Sequence, residues 1–234
     1  MPRDVTVHNA RIDKPDADLD REGFRLVEQS SAVDDFYDDE QIASIYHGEV
    51  TDLLKEVTGA LRVEIFDDTR RSASVDRQAT LGIREPAAIV HNDYTAASGV
   101  KRLRDHFADS PDEAEALLER RFAIINVWRS IAGTIRNHSL ALCDATSISP
   151  NSLISMERRA DERIGELQVA LYDDNQRWYY YPDLEMDEAI LIKTFDSSTD
   201  GRSQFTPHTS FVSPDAPADS PIRESIETRC LVFF

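Results

Sequence analysis

Apolar residues from Asp39 to about Val57 fall at helical spacing, at Ile42, Ile45, Leu53, Leu54 and Val57, and Gly59 supplies a stop. Leu61 to Phe66 then alternates and predicts a strand, and Ala87 to Asp93 predicts a second. Ala96 to Phe107 reads as a short helix. Ser110-Pro-Asp-Glu113 opens another, with Ser at the cap, Pro in the first turn and Glu three residues on; it runs to about Arg121. Phe122 to Trp128 follows as a strand. Strand-like runs recur at Leu140–Cys143, Glu166–Tyr172, Arg177–Tyr181, Glu188–Phe195, Thr209–Val212 and Ile226–Phe234, with turn signals such as Asp173-Asp-Asn175 and Asp200-Gly201 between them. Helices first and strands after predict a mainly β, α+β chain, a sandwich or barrel with helices on one face. Residues 1–38 are polar and Asp-rich apart from Phe24–Val27, and read as an arm laid on a single domain spanning 39–234.

Composition narrows the partners. The chain has 234 residues, 41% of them hydrophobic, enough for a sizeable core, and a formal net charge of -18. That charge repels phosphate backbones, so nucleic acid is a poor partner. Cys143 and Cys230 are too few for a disulfide framework and lack CxxC spacing. With no apolar leader at the N-terminus and no long apolar run, a cytoplasmic protein that does not enter membranes is expected.

The candidate chemistry begins at His91-Asn-Asp93. Residues two apart on a strand project from one face, so His91 and Asp93 are expected to point inward together, in line with Ala87 and Ile89. A non-haem oxygenase iron takes two imidazoles and one carboxylate on one face, leaving the opposite face open. A distant second histidine must complete that set. His8 lies in the arm, His47 and His106 on predicted helices and His138 in a polar turn, whereas His208 opens a strand and is the best completion.

Five segments occur in order: Ile89–Thr95, Asn126–Arg129, Trp178–Asp183, Asp187–Asp196 and Pro221–Glu227. Together they resemble the family containing the hydroxylase component of cephamycin 7α-methoxylation and the fungal endoperoxide-forming and aziridine-forming oxygenases. The resemblance spans about residues 60–234, and departs where Ser130 follows Arg129 in place of the frequent proline. It implies a double-stranded β-helix of jelly-roll or cupin type and an oxygenase using Fe(II), 2-oxoglutarate and O2. His91, Asp93 and His208 would be the ligands, and a small natural-product or amino-acid-derived molecule would be the substrate.

The distal carboxylate of 2-oxoglutarate needs a cation, and the planar fork of arginine suits it. Arg223-Glu-Ser225, after the distal histidine, resembles the anchor of other oxygenases on this fold. Arg229 alternates with Leu231 and Phe233, and Lys193 sits in an apolar run, so both remain candidates. Asn126, on the face of Trp128, is a further candidate for a cosubstrate carboxylate, and Trp128 and Trp178 to Tyr181 are candidates for pocket walls. Two other readings stand beside this one: an iron oxidase without 2-oxoglutarate, and a non-catalytic β-barrel binding or accessory subunit. Oligomeric state, a homodimer included, is left open.

Overall fold

The structure, a computed structural model, describes residues 4–160 and 163–234. Its helices are α1 (Ala10–Asp13), α2 (Asp39–Gln41), α3 (His47–Thr58), α4 (Val75–Leu81), α5 (Ala96–His106) and α6 (Pro111–Leu118). Its strands are β1 (Val7–Asn9), β2 (Phe24–Glu28), β3 (Arg62–Ser72), β4 (His91–Asn92), β5 (Phe122–Ser130), β6 (Ser139–Cys143), β7 (Leu153–Ala160), β8 (Arg163–Ala170), β9 (Trp178–Tyr180), β10 (Glu188–Asp196), β11 (His208–Phe211) and β12 (Glu224–Phe233). They form a seven-stranded sheet, ordered β1-β9-β6-β11-β4-β8-β7, and a five-stranded sheet, ordered β2-β10-β5-β12-β3.

The central strand β5 is buried along its whole length. Its alternate residues serve two layers, which is why the segment reads as nearly continuous apolar sequence. Ala123, Ile125 and Val127 pack outward with Val50, Leu53 and Leu54 of α3. On the opposite face, Trp128 joins Leu140, Leu142 and Ile190, while Ile124 joins Leu103, Phe195 and Leu231. Asn126 lies on that inner face between the two apolar clusters.

Local signals account for the helix ends. Asp38 caps α2, a π-helical turn at Ile42–Tyr46 carries the chain on into α3, and Gly59 closes it in the left-handed region at φ 71°. Thr95 and Ser98 cap α5 reciprocally. Ser110 makes no side-chain cap bond, and α6 ends at Leu118, short of the expected Arg121.

Three expectations need correction. The Ala87–Asp93 strand shrinks to His91–Asn92, and Ile89, expected inside, is 66% exposed. Its carbonyl turns back to the His91 ring instead of continuing a ladder. The sequence reading also missed β7, the edge partner of β8, where the alternation of Ile154 and Met156 with Ser155 and Glu157 is brief and gives way to Arg158. The 1–38 segment contributes strands: β2 pairs antiparallel with β10, and β1 pairs parallel with β9.

Candidate metal centre

His91 on β4 and His208 at the start of β11 are direct partners in the antiparallel register. Their ring centroids are 4.6 Å apart. Asp93 follows one residue beyond β4, and one ligand atom from each of the three lies within 4.8 Å of the others. Each imidazole is turned the same way. His91 Nδ1 lies 2.7 Å from the carbonyl of Ile89, and His208 Nδ1 lies 2.9 Å from that of Thr206. A ring that donates from Nδ1 keeps its lone pair on Nε2, so both histidines offer Nε2 to the shared space.

Asn92, the residue between the two β4-side groups, is fully buried and fastens them to their surroundings. Its Nδ2 donates to the carbonyls of Tyr94 (2.6 Å) and Thr194 (3.0 Å), and its Oδ1 accepts from the Thr206 amide (3.1 Å). The Thr206 hydroxyl in turn reaches the carbonyls of Gly23 and Lys193. One asparagine therefore ties β4, β10 and the segment that orients His208.

Burial penalises every charge here, but neighbours decide the outcome. It would raise Asp93, yet Arg229, His91 and His208 hold that carboxyl well below the usual carboxylate range. Burial would lower His91, yet the hydrogen bond with Asp93 prevails and raises it. His208 is lowered by burial and by the adjacent His91. Two imidazoles and one ionised carboxylate are a donor set that suits ferrous iron.

His91, His208 and Arg223 line one pocket. The Arg223 guanidinium is 3% exposed and lies 4.9 Å over the Trp128 ring. Its hydrogen bonds all go to neutral oxygens: the His138 carbonyl, Ser210 Oγ and, at 3.3–3.4 Å, Ser225 Oγ. Among the described residues no carboxylate lies within ion-pair distance of it. Burial and the nearby Arg71 push its pKa down to about 9. A buried cation that borders a pocket and lacks a paired carboxylate suits an incoming one.

The other sequence candidates lie elsewhere in the network. Arg229 is fully engaged with Asp93, Asp67 and Glu227. Asn126 donates to Asp93 and Glu227. Lys193 is held apart from the pocket by Asp20 (2.7 Å) and Asp196 (3.0 Å). Of the aromatic candidates Trp128 lines the pocket, whereas Tyr179 and Tyr181 fill the core beside it. Glu227 and Arg71 also line the pocket and were missed. For Glu227 a signal existed, since it alternates with Ser225 and Arg229 on the last strand; for Arg71, in the polar run Asp67–Ser72, there was none. His138 sits in its turn at φ 51° and contributes a carbonyl rather than its ring.

The chain is similar to known oxygenases along most of its length. A family model described as an oxidoreductase/YMDC permease-like domain matches residues 1–233. No helix among the described residues is long and apolar enough to cross a membrane. A hydroxylase/desaturase, CTB9, of Cercospora beticola is 34% identical over 99% of this chain and 76% of its own length. The Fe(II)/2-oxoglutarate-dependent dioxygenase nvfI of Aspergillus novofumigatus is 31% identical over 99% and 84%. The solved structure of the iron and alpha-ketoglutarate-dependent endoperoxidase NvfI superposes with a TM-score of 0.88 at 29% identity, covering 98% of this chain and 85% of that one.

Proposed function

This chain belongs to the family of Fe(II)/2-oxoglutarate-dependent dioxygenases, and from that premise we propose that His91, Asp93 and His208 hold its iron while Arg223, with Ser225, holds the distal carboxylate of 2-oxoglutarate. The two sheets facing each other across the site are read as the double-stranded β-helix of that family. When bound, iron, 2-oxoglutarate and dioxygen supply oxidation of an unactivated C–H bond, with release of succinate and carbon dioxide. The substrate is a small natural-product-type molecule, the class that related hydroxylase/desaturases and dioxygenases suggest.

The chain's own part is geometric. Hydrogen bonds from Nδ1 to backbone carbonyls fix both imidazoles so that Nε2 points inward. Trp128 and Leu140 wall the space between the histidines and Arg223 and limit water there. Ser210, Ser225 and the His138 carbonyl orient the Arg223 guanidinium, whose Nη2 keeps one N–H for a carboxylate.

The observation that carries this reading is Arg223: a buried guanidinium that borders the pocket and has, among the described residues, no carboxylate within ion-pair distance. Anaerobic calorimetric titration of 2-oxoglutarate into the Fe(II)-loaded chain tests it. Losing one partner of a buried charged pair costs about 2–5 kcal/mol, so Arg223→Ala is expected to weaken binding about 30-fold or more. Arg223→Lys is expected to recover only part, because it lacks the fork. Unchanged affinity in Arg223→Ala contradicts the assignment.

A further inference from the structure

The two oxygens of the Asp93 carboxylate have different surroundings. Oδ1 faces the histidines, 3.5 Å from His91 Nε2. Oδ2 accepts two hydrogen bonds, from Asn126 Nδ2 at 2.7 Å and from Arg229 Nε at 3.0 Å. Both donors come from the five-stranded sheet, where Asn126 on β5 and Arg229 on β12 are register partners. Asp93 itself follows β4 of the other sheet.

Glu227 ties the two donors together. Its Oε1 accepts from Asn126 Nδ2 at 2.5 Å, and its Oε2 accepts from Arg229 Nη2 at 3.0 Å. Asp93, Asn126, Glu227 and Arg229 thus close a four-residue ring. Arg229 is fixed at its remaining end by Asp67 Oδ2 (2.5 Å) and Thr69 Oγ1 (2.9 Å). Neither donor can follow Asp93 if the carboxylate rotates, since each would abandon a buried partner.

We propose that Arg229 and Asn126, braced by Glu227, are positioning residues that reserve Asp93 Oδ2 for the protein, so that Asp93 offers the metal one oxygen and not two. The proposal rests on the ligand assignment above. Its consequence is a vacant coordination position. Three protein donors and a two-point cosubstrate leave one place of an octahedron for dioxygen, and a carboxylate binding through both oxygens would fill it. An oxygen already holding two N–H donors, one of them cationic, gives them up only at the expense of leaving both unpaired in a buried site.

Cobalt(II) serves as the probe, because it occupies such sites without turnover. X-ray absorption reads the metal-to-carbon distance of a ligating carboxylate, which is shorter when both oxygens bind. The parent chain is expected to show the longer, one-oxygen distance. Asn126→Ala and Arg229→Gln are expected to show the shorter one, with cobalt affinity altered by about 10–100-fold and with circular dichroism unchanged. Should Arg229→Gln not fold, Asn126→Ala and Glu227→Gln carry the same reading. A parent that already binds through two oxygens overturns the proposal, as do folded variants that keep the parent's distance. His208→Ala, measured alongside, separates the two levels: if it retains parental cobalt binding, the ligand assignment falls and the latch with it. If it loses cobalt while Asn126→Ala keeps the one-oxygen distance, the latch alone falls.

Discussion

Buried charges in this chain are distinguished by what answers them. Lys193, 1% exposed, meets Asp20 and Asp196, and Arg229 meets three carboxylates. Arg129, like Arg223, has no carboxylate partner among the described residues, but it donates to the carbonyls of Gln29 and Met186 and lies near the rings of Phe36 and Tyr46 in a closed layer. Arg223 alone among these four borders the pocket. Asp144 is the acidic counterpart, fully buried and reached by Lys14, Arg177 and Thr146. Burial would raise its pKa, but the Thr146 hydrogen bonds, Arg177 and Lys14 outweigh it and lower it. A carboxyl depressed on folding adds stability above its unfolded pKa, near 3.9, and loses it as pH falls through the folded value. Thermal melts of the parent are therefore expected to drop more steeply below about pH 4 than those of Asp144→Asn. At neutral pH that variant is expected to be less stable by about 1–3 kcal/mol. Parallel pH profiles contradict this. At this scale the His91-x-Asp93 pair was legible from its spacing, and Arg223 from the Arg-x-Ser pattern after His208. The role of Lys193 was not legible, because Asp20, one of its two partners, comes from a distant segment, nor was that of Arg71, which lies in a polar run.

Elements matter here through the joints between them. The His208 side of the site depends on Thr206, which is packed against Gly23 immediately before β2. Gly23 has φ +86°, and a Cβ there would come within 2.1 Å of Thr206 Oγ1 and 2.7 Å of Ser203 Oγ. Gly23→Ala is thus strained in its backbone and displaces the residue whose carbonyl orients His208. It is expected to cost about 1–3 kcal/mol of stability and to weaken metal binding, read by chemical denaturation and by cobalt titration of the folded variant. A variant that keeps parental affinity for cobalt shows that Thr206 does not govern His208. Nothing in the sequence marks Gly23 as a neighbour of Thr206, since proximity across 183 positions is set by sheet pairing. By contrast, α3 was legible from the helical spacing of its apolar residues and its glycine stop, and the doubly buried β5 and β10 from short, nearly unbroken apolar runs. β1, β2 and β7 were not, being short or edge strands whose partners supply most of the pattern.

Across the whole molecule, the acidic exterior and the site have opposite character. The chain carries a net charge of -18, yet its pocket is lined by Arg71 and Arg223 against Glu227, with Arg229 behind Asp93. Such an interior favours a dianionic cosubstrate, while the surface disfavours polyanions. The mainly β architecture was legible from the order of helices and strands. The two-sheet pairing was not, because it joins segments as remote as β3 and β12, or β4 and β11. That pairing is what brings His91, Asp93 and His208 into one cluster and sets Arg223 on the same pocket. The most direct measurement is an anaerobic titration with ferrous ion and 2-oxoglutarate, followed by the visible charge-transfer absorption of a keto acid chelated to iron. The parent is expected to bind a single ferrous ion per chain and develop that absorption. His91→Ala, Asp93→Ala and His208→Ala are each expected to lose it while remaining folded. Three folded variants that bind iron and develop the absorption as the parent does would contradict the assignment of the metal centre.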